Sequence, residues 1–222
     1  MHRWIFLGLI MIQIGNVMAD SGAPPLKQVI SKLNAHFQAT KDFKANFIQI
    51  ETNALVKKIK KSEGVIYARQ DGKIFWFTQK PEPYKVLSDG KLIWLYYPKE
   101  NEVYQRTWDS IDFQTRMALL FLTRRSQLEA SFDYEWENQK HHQIRLIPKK
   151  KWAVEKVVMT LRASLSEIEK IKFYYPLERE TELQLRDLQT NQDWLAKHSK
   201  HALDPNIDAA FQFCCASKVQ EK

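Results

Sequence analysis

Two histidine pairs are the first residues in this sequence whose types and spacing could do chemistry. His141-His142 and His198-x-x-His201 each bring two imidazoles close together, which is how many metal sites begin. Neither pair has a carboxylate or thiol at a spacing that completes a ligand set, so both read as solvated loop. Glu135 and Glu137 share one strand face and could serve as a carboxylate pair. A spacing of two is nonspecific, and a surface charge pair is the simpler reading. Lys149-Lys150-Lys151, followed by Trp152, could meet phosphates with an aromatic ring beside them, but it suits a hairpin tip better. Cys214-Cys215 leaves a vicinal disulfide, an intermolecular bridge and two free thiols all open. Two cysteines are too few for a four-thiolate zinc site. No GxSxG elbow, HExxH or Walker A pattern occurs. The expectation is a protein with no catalytic residues, no metal and no cofactor. An exported hydrolase is the weakest alternative.

The elements that would carry any site come next. The chain opens with a charged head, Met1-His2-Arg3, and an apolar run from Trp4 to Ile12. Small residues then lead to Ala19. This is the form of a cleaved export signal, with Asp20 as the first mature residue. The run is short for a membrane span, which needs about 20 apolar residues. No cysteine follows the cut for lipid attachment. One arginine leaves with the signal, so the net charge falls from +8 to +7. Export disfavours nucleic acid as a partner and makes anionic lipid headgroups or acidic proteins the partners to hand. A well-solvated surface explains the charge equally well. With 44% apolar and 27% charged residues, a packed core is within reach.

Leu26, Val29, Ile30, Leu33 and Phe37 fall on one helical face, which predicts a helix from Leu26 to about Thr40. The period then changes to that of strands. Strands are expected at Phe43–Ile50, Gly64–Ala68, Ile74–Phe77, Tyr84–Ser88, Leu92–Tyr97 and Val103–Arg106. A lysine-rich link (Lys57, Lys58, Lys60, Lys61) joins the first two. Asp71-Gly72 and Asp89-Gly90 mark tight turns. A very apolar helix is expected over Phe113–Thr123. Strands resume at Phe132–Trp136, Gln143–Ile147, Val154–Leu161, Ile168–Tyr175 and Thr181–Leu188. Strand follows strand without intervening helices, so the pattern is an antiparallel meander in one domain, residues 20–222. In the segments around Ile74–Phe77 and Leu92–Tyr97 both parities are apolar, so both sheet faces there want cover. A sandwich or dimer interface would provide it. So would a sheet curled around an apolar cavity.

The ordered set "DFKANFIQIE", "GVIYARQDGKIFWF" and "VLSDGKLIWLYYPKENEVYQR" resembles the LolA family of periplasmic lipoprotein carriers. The most specific piece is Val86-Leu87-Ser88-Asp89-Gly90-Lys91 followed by Trp94, Tyr96 and Pro98. "LFLTRR", "LQLRDLQTN" and "DAAFQF" echo the family more weakly. The resemblance implies a mainly β fold, an unclosed antiparallel half-barrel with helices as a lid over an apolar cavity. It implies a monomeric periplasmic protein, binding no nucleic acid, that holds the acyl anchors of lipoproteins. These would come from an inner-membrane ABC transporter and pass to an outer-membrane lipoprotein acceptor. It places Phe37, Phe47, Ile74, Trp76, Trp94, Leu119 and Leu122 at the acyl-chain cavity. A related binding or sensing module for another apolar ligand is the alternative.

Members of the family place an arginine just before the strand that ends in Trp76, where it pins the lid through backbone carbonyls. Here that position is Gln70, with Arg69 before it and Asp71 in place of a proline. Either Arg69 does the pinning after a register shift, or Gln70 makes a neutral hydrogen bond, or the lid is held otherwise. The lid partners fall near Phe37 and near Leu122-Thr123. The segment Trp194–Pro205 and the end at Cys214-Cys215 depart from the family pattern.

Overall fold

The computed structural model describes residues 24–111, 128–151 and 153–191. Within them lie helix α1 (Leu26–Ala39) and strands β1 (Asp42–Asn53), β2 (Lys58–Arg69), β3 (Lys73–Lys80), β4 (Tyr84–Asp89), β5 (Leu92–Tyr97) and β6 (Glu102–Thr107). A one-turn helix α2 (Leu128–Ser131) then precedes β7 (Phe132–Asn138), β8 (Gln143–Pro148), β9 (Lys156–Leu161), β10 (Ile168–Tyr175) and β11 (Arg179–Thr190). The export signal, the helix expected over Phe113–Thr123, both Cys214 and Cys215, and the His198–His201 pair lie outside the described residues.

Helix α1 begins after Pro25, whose carbonyl accepts from Gln28 N–H at 2.8 Å. It stops where Thr40 turns extended and returns both its N–H and its Oγ1 to the His36 carbonyl, at 3.1 and 2.8 Å. The chain enters β1 two residues later.

All eleven strands form one antiparallel sheet in the order β6-β5-β4-β3-β2-β1-β11-β10-β9-β8-β7. Every pair of adjacent strands is consecutive in sequence except at one seam, where β1 pairs with β11 from Phe43–Thr190 to Asn53–Arg179. β6 and β7 are the two edges and do not pair, so the barrel is unclosed. Gly72 (φ 86°) and Gly90 (φ 99°) sit at the two Asp-Gly turns, where a left-handed residue is required. At the second turn Asp89 Oδ1 accepts from the Lys91 and Leu92 amides at 2.7 and 2.9 Å.

One expectation is corrected. Lys58, Lys60 and Lys61 are not a link but the first part of β2, paired with Asn53, Glu51 and Ile50 of β1. Backbone hydrogen bonds to β1 hold them in the strand, although all three side chains are exposed and supply no apolar pattern.

Two apolar clusters share one face of the sheet. In the first, Val29, Ile30 and Leu33 of α1 pack on Ile144, Leu146, Met159, Ile171 and Phe173. In the second, Phe43, Ala45 and Phe47 meet Ile66, Ile74, Trp76, Val86 and Ile93. Ile171 of the first stands directly opposite Leu183 of the second, so the face is continuous. The opposite face differs between the two halves. Over β2–β6 it carries a third cluster of Phe75, Leu87, Trp94 and Val103 with Tyr67, Phe77 and Tyr96. The double apolar parity therefore reflects apolar clusters on both faces.

Over β7–β11 the opposite face is charged. Arg145 bridges Glu135 (2.9 Å) and Glu137, and Lys156 reaches Glu137 at 3.4 Å. Lys170–Glu182 and Lys172–Glu180 extend the ladder at 3.2 and 2.7 Å. Glu135 and Glu137 are thus a structural charge pair. Arg145, by its hydrogen bond, holds the Glu137 carboxyl below its ordinary value of 4.5 against partial burial, with help from Lys156. A carboxyl whose pKa is lowered by folding stabilises the fold above its unfolded pKa and stops doing so as pH falls through its folded pKa. Glu137→Gln is therefore expected to be less stable than wild type at neutral pH. In urea titrations across the acid range the difference should shrink as pH falls below 4.5. A constant difference down the acid limb would show that the ion pairs are not its source.

Candidate apolar-ligand site

Trp76 sits at the centre of the second cluster and is 4% exposed. Its ring centroid lies 4.5 Å from that of Phe47, tilted by 46°. Its Nε1–H donates to Thr78 Oγ1 two residues on, at 3.2 Å. That bond satisfies the indole's polar atom on the same strand face and fixes the ring plane. Cross-strand pairing brings Ile66, Val86 and then Leu95 into the same row. Further along that face a cavity of about 270 Å³ opens, walled by Ser62, Thr78, Tyr84, Val86, Leu95 and Tyr97. The exposed Lys60, Glu82, Lys99 and Glu100 also line it.

At the other end of these strands α1 is fastened. Gln70, just past β2, donates from Nε2 to the Gln38 carbonyl at 3.2 Å, and its backbone N–H donates to Lys41 O at 2.8 Å. Arg69 is turned away and pairs with Asp71 at 2.7 Å. Of the alternatives left open for the arginine position, the neutral glutamine bond is the one seen on the helix side. Asn191, after β11, adds a second tie. Its Oδ1 accepts from Lys41 N–H at 2.7 Å and its Nδ2 donates to Ala39 O at 3.4 Å. It holds φ at 54°, a left-handed value that asparagine tolerates well. Sequence reasoning missed Asn191, because only the distant β1–β11 pairing makes it a neighbour of α1.

The expected cavity residues divide into three groups. Phe47, Ile74 and Trp76 come together in one cluster. Phe37 is half-buried on α1 and packs against the helix-side cluster instead. Trp94 is not brought together with them: it stands opposite Leu87, which stands opposite Phe75, and this row lies on the other face of the sheet. Ile93 and Leu95, one residue to either side, face Trp76's side. A one-residue offset reverses a strand side chain, and residue type alone does not reveal the offset. Leu119, Leu122 and Thr123 lie outside the described residues. Among the described residues no three His, Cys, Asp or Glu side chains converge on a metal-sized site.

A family model described as outer membrane lipoprotein carrier protein LolA matches residues 38–198. The chain belongs to the LolA family. Curated LolA-type relatives are similar over shorter stretches. The outer-membrane lipoprotein carrier protein of Methylobacillus flagellatus is 32% identical over 74 residues, covering 33% of this chain and 36% of that protein. Its counterpart in Pseudomonas putida is 25% identical over 130 residues, covering 58% and 60%. The chain thus spans from about a third to three-fifths of the length of these relatives. Among solved structures, a LolA superfamily protein from Nitrosomonas europaea aligns at 10% identity and TM-score 0.44, covering 77% of this chain and 95% of that one. An uncharacterized conserved protein from Thermus thermophilus aligns at 10% identity and TM-score 0.48, covering 81% and 95%.

Proposed function

We propose that this protein is a periplasmic, monomeric carrier of acylated lipoproteins and not an enzyme. It would be exported by a signal cleaved after Ala19, leaving one domain over residues 20–222. Cargo would be taken from an inner-membrane ABC transporter and passed to an outer-membrane lipoprotein acceptor. The observation that carries this reading is the continuous apolar face of the sheet, one half of it under α1, with the helix tied at its C-terminal end by a few neutral hydrogen bonds.

A triacylated anchor has three chains of roughly 15 methylenes, each worth about 0.8 kcal/mol on burial. Water alone cannot host such a load, so a carrier must supply an apolar lining and then give the chains up. A cavity of about 270 Å³ lies below the few hundred to 1,000 Å³ of ordinary ligand pockets. Loading would therefore require the apolar face to open, and moving α1 from the sheet would bare Ile144, Leu146, Met159, Ile171 and Phe173. Phe47, Ile74 and Trp76, continuous with that surface through Ile171 and Leu183, would extend the lining for hydrocarbon, with Ile66, Val86 and Leu95 beside them. No group here binds a nucleotide in this reading, so the uphill extraction is driven by the transporter.

Protein recovered from cells is expected to copurify with acylated lipoprotein and to take up a fluorescent acyl probe that fatty-acyl chains displace. If it binds neither, the reading fails. The runner-up is a LolA-like module that holds a smaller apolar ligand. The modest cavity with charged residues around it favours that version. Depletion in the native host separates the two, because loss of a carrier leaves outer-membrane lipoproteins at the inner membrane.

Gln70→Arg provides a finer test. A charged donor to the Gln38 carbonyl makes a stronger bond than an amide does, by roughly 1 kcal/mol. The acyl-probe off-rate is expected to fall about fivefold, a difference stopped-flow mixing resolves. An unchanged off-rate would remove Gln70 from the closure.

A further inference from the structure

Among the described residues, five large apolar side chains are exposed, and four of them share one end of the sheet. Leu55 (59%), Val56 (65%) and Ile59 (71%) belong to the tip of the β1–β2 hairpin, and Leu177 (70%) to the β10–β11 turn. The two turns lie side by side, since Ala54 N–H donates to the Glu178 carbonyl at 3.1 Å. The last partner β3 offers to β2 is Lys80, opposite Glu63. Residues 58–62 therefore run past the end of β3, by about 16 Å at roughly 3.3 Å per residue.

The same hairpin is strongly basic. Residues 48–61 contain Lys57, Lys58, Lys60 and Lys61 against the single acid Glu51, a net of +3. All four lysines are exposed. Glu63, the acid next in sequence, is taken by Lys80 at 2.9 Å. Exposed apolar side chains on a narrow, cationic projection have the composition of segments that enter the headgroup–acyl boundary of anionic membranes. A folded protein partner would want a broader surface, about 800 Å² on each side. A lipid surface asks only for shallow penetration and phosphate contacts.

We propose that this rim docks on an anionic phospholipid bilayer. Leu55, Val56, Ile59 and Leu177 enter the boundary region while Lys57, Lys58, Lys60 and Lys61 meet the phosphates. Lys60 and Ser62 also line the 270 Å³ cavity, so docking brings that cavity to the lipid surface.

Protein recovered from an export-competent host is titrated with phosphatidylcholine vesicles, with and without phosphatidylglycerol. Wild type should bind the anionic vesicles, and added salt should weaken that binding. The double variant Lys58→Gln/Lys60→Gln should bind them about 25-fold more weakly, at about fivefold per lysine. Leu55→Ser/Val56→Ser should weaken binding to both vesicle types. Because all these side chains are exposed, thermal melting of both variants should match wild type. Failure of wild type to bind anionic vesicles overturns the proposal. So does equal binding by wild type and both variants. Loss of binding to a membrane protein, without any affinity for bare lipid, overturns it in favour of a protein interface. Bare-lipid binding needs no cargo, so failure here and failure of the carrier reading are separate results.

Discussion

Gly64→Ala is expected to lower stability by about 3 kcal/mol or more, at the upper end of what overpacking does. Gly64 occupies the irregularity where β2 and β3 shift register, opposite Thr78. A Cβ there would sit 1.9 Å from the carbonyl oxygen of Phe77, 2.9 Å from its carbonyl carbon and 3.0 Å from Phe47 Cε1. The first two are backbone atoms, so no rotamer change relieves the clash, and the strands must part. The third drives the Phe47 ring against Trp76. Urea unfolding should show the midpoint falling by about 1–3 M, given a typical slope of 1–3 kcal/mol/M. A midpoint like that of wild type would mean that β2 and β3 do not approach this closely.

Trp76→Ala should cost about 3–5 kcal/mol, the range for removing a large buried aromatic side chain. The substitution deletes the ring against Phe47 and leaves Thr78 Oγ1 without its donor. Phe47→Ala should cost a comparable amount. The double variant should lose less than the sum of the two, by about 0.5–1.5 kcal/mol, because aromatic contact is lost only once. Strict additivity in urea titrations would show that the rings stabilise the fold independently.

Local features of the fold were readable because local chemistry decides them. The helical spacing from Leu26 to Leu33 and the two Asp-Gly turns act over a few residues. The alternation in β3 likewise put Ile74 and Trp76 on one face. Features set by distant partners were not readable. Lys58–Lys61 show no strand pattern and, among the described residues, are held in the sheet by β1. Residue type points to Trp94, but pairing with Leu87 decides which way it faces. The bond from Gln70 to Gln38 is one of three alternatives at the level of sequence, since a turn's register is not visible there. Asn191 gave no signal, being brought to Lys41 from 150 residues away.

That long reach has a consequence for how the molecule assembles. β1 to β6 and β7 to β11 are each chains of nearest-neighbour hairpins, and among the described residues β1–β11 is the ladder that stitches them together. As the chain emerges N-terminus first, the first half can zip up before β11 has appeared, leaving β1 as a bare template for stray strands. Closing the seam is the step with the largest loop to gather among these pairings, and long-range pairing of that kind is intrinsically slow. Until it happens, the newborn chain is most in need of a holdase.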